Sequence, residues 1–236
     1  MSTDMAMMNI AQNGTPILRL YGWSVPTLSI GKFQNIEEIN IDYLKEMNFG
    51  LVRRPSGGRA VFHCDELTYA VALPEFMVSR SVIKTYLEIS KAIVKGLNEI
   101  GLNCEIARER AKERYTKFAA CFATTSLHEV ISNGKKLVGS AQVRKNGVVL
   151  QHGSIPMKCH FVEYANSFRM TRTQREKLIT RLEKSTTCVS KCLNVEIEDV
   201  KDAIVTAFHT TFNARFAPFR KKINWKKYVA DVKVWD

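Results

Sequence analysis

Lys136 heads the run Lys136-Leu137-Val138-Gly139-Ser140-Ala141, whose small residues let another group approach the backbone closely. The chain then turns back through Asn146-Gly147 into Val148-Val149-Leu150-Gln151-His152-Gly153-Ser154. A cation beside accessible backbone suits a covalent or acyl-handling site better than a generic core. Earlier, Arg53-Arg54-Pro55-Ser56-Gly57-Gly58-Arg59-Ala60-Val61-Phe62-His63 places arginines beside paired glycines. Such a turn can offer backbone amides and charge to an oxygen-rich ligand, although paired glycines also serve as an ordinary tight turn. The run lacks the spacing of a P-loop or a dinucleotide fingerprint.

Cys121 follows Ala119-Ala120 and precedes Phe122, the setting of a small buried hydrophobe. A second reading opens if 127–131 and 137–141 form a hairpin around Ser132-Asn133-Gly134, because Lys136 then returns toward this region. A cation beside a thiol favours the thiolate and makes Cys121 a candidate nucleophile. His63, at a strand end, is either a hydrogen-bonded structural group or part of the site.

These residues need a scaffold. The chain has 236 residues, 45% of them hydrophobic and 25% charged, which suits one large domain over 1–236 with a basic segment at 213–236. No apolar run reaches membrane-span length, and the first residues lack signal-peptide form, so the expectation is a cytoplasmic protein. The six cysteines are irregularly spaced and read as reduced thiols. Cys188 and Cys192 have no second Cys or His pair at zinc-finger spacing, so no metal is expected.

The net charge of +12 calls for an acidic partner. Arg215, Arg220, Lys221, Lys222, Lys226 and Lys227, with Phe216, Phe219 and Trp225 among them, form either a binding surface or a solvated rim. Short β-rich runs occupy 17–23 and 27–31, a helical pattern follows over 39–48, and strands resume at 50–54, 59–62 and 67–73. Helices are predicted over 81–100, capped by Ser81 and ended by Gly101, near 173–182 with a Thr173/Glu176 capping box, and over 197–212. The resulting class is α+β, a mixed or antiparallel sheet flanked by helices.

Four segments in order, Pro26 to Asn35, Arg53 to His63, Asn133 to Gln142 and Gln151 to Ile155, resemble the motifs of the biotin/lipoate protein ligase and octanoyltransferase superfamily over about residues 15–160. The ATP-using ligases of that superfamily usually carry a third glycine where this chain has Arg59. The sequence is more similar to the octanoyltransferases, in part because Ala120-Cys121-Phe122 precedes the lysine motif. One departure is Cys64, which stands where the family more often has aspartate directly after the histidine.

The resemblance implies a class II synthetase-like catalytic domain that passes octanoate from octanoyl-acyl carrier protein to a lysine of lipoyl domains, those of glycine cleavage H protein or a 2-oxoacid dehydrogenase E2. Cys121 would carry a thioacyl intermediate and Lys136 would assist. Arg54, Ser56, Gly57, Gly58, His63, Gly139, Ser140, Ala141, His152 and Gly153 would hold the acyl substrate, with Val61, Leu137 and Val138 as apolar walls. No cofactor is implied. An ATP- and Mg-dependent lipoate or octanoate ligase is the alternative, and a nucleic-acid-binding module the remote one.

Overall fold

In a computed structural model, residues 1–108, 128–219, 223 and 225–229 are described. The strands are β1 (Ile17–Tyr21), β2 (Thr27–Ile30), β3 (Gly50–Arg53), β4 (Val61–His63), β5 (Glu66–Pro74), β6 (Cys104–Ile106), β7 (Val130–Ser132), β8 (Lys135–Lys145) and β9 (Val148–Pro156). The helices are α1 (Ser2–Ala11), α2 (Ile41–Glu46), α3 (Val82–Glu99), α4 (Phe161–Asn166), α5 (Arg172–Ser185), α6 (Val189–Cys192) and α7 (Ile197–Phe212). They build the mixed α+β architecture anticipated from the sequence.

The strands form two sheets. The larger runs β1-β5-β9-β8-β7-β6 with antiparallel neighbours, and the smaller runs β3-β2-β4 with β2 parallel to β3. Asparagine-glycine pairs make both hairpin turns around β8. Asn133 and Gly134 have φ of 49° and 74°, and Asn146 and Gly147 have 53° and 74°, the left-handed pair that a two-residue turn requires. Those turns fix the register that brings Gly139 opposite Ser154 and Ala141 opposite His152.

Burial explains which faces pack. Ile89, Ile93 and Leu97 of α3 and Val200, Ile204 and Phe208 of α7 cover one face of the large sheet. Met7, Met8 and Ala11 of α1 cover Ala70, Ala72 and Leu150 on the other. The small sheet has its own core, in which Leu28, Ile30 and Leu51 meet Tyr164, Phe168, Leu178 and Leu182. Each of the valine, leucine, isoleucine, phenylalanine and methionine side chains among them contributes about 1.5–3 kcal/mol when fully removed from water.

Several expected boundaries move. Ser81 caps α3 by accepting from the Lys84 amide, as expected. The capping box of α5 lies two residues earlier than expected, on Thr171 and Gln174 rather than Thr173 and Glu176. The helix expected over 39–48 contracts to α2, because Asn40 caps it and Asn48 adopts a left-handed φ of 55°. Helix α1 was not foreseen.

Gly31, just after β2, sits against the Gly57-Gly58 turn so closely that an added Cβ would lie 1.9 Å from the Gly58 carbonyl oxygen. Gly31→Ala must therefore push the turn away. The expected cost is about 1–3 kcal/mol, read as a lower urea midpoint; an unchanged midpoint would show that the turn yields freely.

Candidate active site

A cleft of about 440 Å³ opens where the two sheets meet. From the small sheet and its turn it is lined by Ser29, Arg54, Gly58, Val61 and His63, and from the large sheet by Gly139, Ser140, Ala141, His152 and Gly153. Four sequence segments between Ser29 and Gly153 thus converge on one space. Ser56 lies just beneath, fully buried.

Two buried serine–histidine–carboxylate chains flank the cleft. In the first, His63 Nε2 lies 2.7 Å from Ser29 Oγ and His63 Nδ1 lies 2.7 Å from Glu66 Oε1. Glu66 also accepts from Thr68 and, at 2.5 Å, from Ser154. The Trp23 ring stacks on the His63 ring with centroids 4.3 Å apart, and its indole N–H donates to Thr68 at 2.9 Å. Arg54 donates to Ser29 Oγ at 3.3 Å, which leaves the serine hydroxyl to donate toward His63 Nε2. The imidazole is thereby held in the tautomer with its proton on Nδ1, facing the carboxylate.

In the second chain, His152 Nε2 lies 2.6 Å from Ser56 Oγ and Nδ1 lies 3.2 Å from Asp4 Oδ2, while Arg19 donates to the other Asp4 oxygen at 2.9 Å. Burial pushes the Asp4 carboxyl up, but the hydrogen bond from His152 and nearby positive charge, Arg19 included, outweigh it and lower it to about 2. Burial pushes the His152 imidazole down, offset in part by Asp4. A neutral His152 donating to an ionised Asp4 satisfies both. The two chains differ in what anchors them: hydroxyls for Glu66, a guanidinium for Asp4.

Arg54 is only 4% exposed and spends its guanidinium on the backbone. It donates to the carbonyls of Ser29, Gly57 and Arg59, at 2.5 Å for the last. Its contribution is to shape the glycine turn into a wall. On the opposite wall an added Cβ at Gly153 would lie 2.5 Å from the Tyr69 ring and 2.7 Å from Ser140 Oγ. Glycine there makes room for the buried Tyr69, whose hydroxyl lies 2.7 Å from Ser140 Oγ and accepts from Gln151 at 3.1 Å. Among the described residues β7 pairs with β8 only as far as Val138, so no described strand covers the other edge of Gly139, Ser140 and Ala141.

Lys136 is fully buried, and its ammonium donates to Glu129 at 2.5 Å. It stands on β8 three residues before the cleft-lining Gly139 rather than in the lining itself. Its carbonyl accepts from the Thr187 amide. Cys121 falls outside the described residues, as do Arg220, Lys221 and Lys222 of the basic segment. Leu137 and Val138, expected as apolar walls, belong instead to the core with Tyr69, Ile89 and Ile93, and only Val61 of that group lines the cleft. A β-bulge between Val130 and Ile131 shifts the register of β7 against β8, which strand alternation alone does not reveal.

The residues that escaped sequence reasoning are Ser29, Glu66, Asp4 and Trp23. Ser29 and Glu66 lie inside or beside segments with recognisable motifs, and their polarity within otherwise apolar strands was the available signal. Asp4 sits 148 positions from its histidine, and no local pattern pointed to it.

The fold is that of lipoate protein ligases: the bipartite lipoate protein ligase of Thermoplasma acidophilum, solved with its E2 lipoyl domain, superposes with a TM-score of 0.79 at 23% identity, covering 98% of this chain and 84% of that one. A lipoate-protein ligase A bound with ATP gives a TM-score of 0.76 at 21% identity, covering 98% and 86%. The chain belongs to the lipoyl protein ligase A/B catalytic domain family, whose model matches residues 1–209. It is 40% identical over 211 residues to octanoyltransferase LipM of Moorella thermoacetica, covering 86% of this chain and 77% of that protein. With octanoyltransferase LipM of Exiguobacterium it shares 35% over 255 residues, covering 100% and 92%.

The Asp4 chain gives a pH test. Asp4 and His152 both bind protons more weakly in the folded than in the unfolded protein, so acidification favours unfolding, from about pH 6.5 downward for His152 and from about 3.8 toward about 2 for Asp4. Asp4→Asn is expected to cost about 1–3 kcal/mol at pH 7, and less as pH falls below 4, by urea unfolding. A cost that stays constant with pH would contradict the ionised Asp4.

Proposed function

We propose that this protein is an octanoyltransferase of lipoate assembly, working without ATP through a thioacyl intermediate on Cys121. The observation that carries the reading is the identity of 34–40% to octanoyltransferases over most of the chain. The cleft between the glycine turn and Gly139-Ser140-Ala141 supports it, since the Val61 wall and exposed backbone suit an acyl chain ending in a carbonyl.

The donor is octanoyl-acyl carrier protein, a thioester. The Cys121 thiolate attacks its carbonyl carbon, a new C–S bond forms, and the carrier thiolate leaves and takes up a proton. One thioester replaces another at little cost in free energy. A lysine amine of the acceptor lipoyl domain then attacks the thioacyl carbonyl, an amide forms, the Cys121 thiolate leaves, and the amine loses its proton to a base at the site. The exchange is complete without ATP, and two bulky proteins meet the enzyme in turn.

Lys136, whose ammonium Glu129 holds behind the cleft edge, is the cation that favours the Cys121 thiolate and acts from outside the cleft lining. Backbone amides around Gly57-Gly58 or Gly139-Ser140 face the developing oxyanion. His63 and His152 border the reacting carbonyl in fixed tautomers and are available for proton handling. The net charge of +12 favours acidic carrier and lipoyl domains. Among the described residues no helix is long and apolar enough to cross a membrane.

Incubation with octanoyl-acyl carrier protein without ATP, followed by intact-mass measurement, should show an octanoyl adduct that hydroxylamine removes. Cys121→Ser should lose it. Absence of the adduct, together with ATP-dependent modification of a lipoyl domain by free octanoate, would replace this reading with a ligase.

A further inference from the structure

Cys64, Asp65 and His160 gather on the outside of the β4–β5 turn, away from the cleft. Their Sγ, carboxylate oxygen and ring nitrogen all lie within 4.8 Å of one another. Cys64 and His160 are half-buried, and Asp65 is exposed. We propose that these three side chains form a site for a divalent transition metal of the zinc class.

The donor set is the first argument. A thiol, an imidazole and a carboxylate are the three ligand types that zinc accepts, whereas magnesium and calcium take oxygen alone. Three protein ligands leave the fourth tetrahedral position to water. Zinc–nitrogen and zinc–oxygen bonds of about 2.0–2.2 Å place two such ligands about 3.3 Å apart in a tetrahedron. His160 Nε2 and Asp65 Oδ2 already lie 3.0 Å apart. The Cys64 Sγ lies within 4.8 Å of both.

Backbone geometry holds the ligands in place before any ion arrives. Asp65 adopts a left-handed φ of 43°, and its carbonyl accepts from the amides of Met157 at 2.8 Å and Lys158 at 3.2 Å. The turn bearing two ligands is therefore tied to the segment that leads directly to the third. The edge of the His160 ring rests against Phe62, with centroids 6.5 Å apart. Its other nitrogen, Nδ1, faces Glu163 Oε2 at 4.0 Å. A ring with one nitrogen toward the ligand cluster and the other toward a carboxylate has the orientation found in carboxylate–histidine–zinc arrangements.

The position of the site gives it a consequence for the cleft. His63, Cys64, Asp65 and Glu66 are consecutive, so the inner pair holds the first histidine chain while the outer pair would hold the ion. An ion at Cys64 and Asp65 clamps the turn that sets the distance between His63 and Glu66. Cys64 is also the residue by which this chain departs from its superfamily's usual aspartate, a feature that the acyl chemistry leaves without a role.

The test uses the full chain with Cys121→Ser and Cys188→Ser, which removes two other thiols. Zinc titrated against a chromogenic chelator should show one equivalent bound. Cobalt should give a thiolate-to-metal absorption band. Adding Cys64→Ser should abolish that band, and adding His160→Ala should weaken zinc binding about tenfold or more, the scale at which even outer partners of a metal ligand act. No bound equivalent in the background protein, or binding unchanged by both further substitutions, would overturn the proposal.

Discussion

The contact between the two sheets is polar, and the site depends on it. The His152–Ser56 bond ties the large sheet to the glycine turn, and the His63–Glu66 bond ties β4 to β5. Each histidine has both ring nitrogens engaged, so neither ring can turn without leaving a buried polar group unsatisfied, at a cost of about 1–3 kcal/mol. Apolar packing alone would hold the sheets together but would let them slide. Directional bonds fix the width of the cleft between them.

This constraint explains the density of small residues. Once the sheets are held at that separation, space for a ligand exists only where side chains are withheld. Gly31 lets the turn approach β2, Gly153 lets Tyr69 rise beneath β9, and Gly139-Ser140-Ala141 keeps the opposing edge low. Arg54 completes the wall by gathering carbonyls that would otherwise point apart. The Lys136–Glu129 pair stands behind that edge, where a charge survives burial only because it is matched.

Much of this was legible in the chain. Asparagine-glycine pairs announced both turns around β8, apolar spacing and Ser81 announced α3, and Arg54, Gly58, His63, Gly139, Ser140, Ala141, His152 and Gly153 line one cleft, while Ser56 and Gly57 stay outside its lining. What escaped was long-range or locally ambiguous. Asp4 belongs to a helix whose methionines make no clear stripe, and its partner His152 lies 148 positions away along the chain. Thr171 and Thr173 are both fair caps, and only the side-chain geometry of Gln174 chooses the first. Leu137 and Val138 face the core because a bulge resets the register, an event that an alternating pattern does not encode.

In the proposed reaction an octanoyl chain occupies the cleft between the two histidine chains. Among the described residues other cavities compete with it, including one lined by Phe62, Cys159 and Tyr164 and one lined by Leu73, Phe208 and Phe216. A crystal structure of the octanoylated enzyme decides among them. Acyl density should lie in contact with Val61, Gly139 and Ala141. Density in either of the other cavities would contradict it.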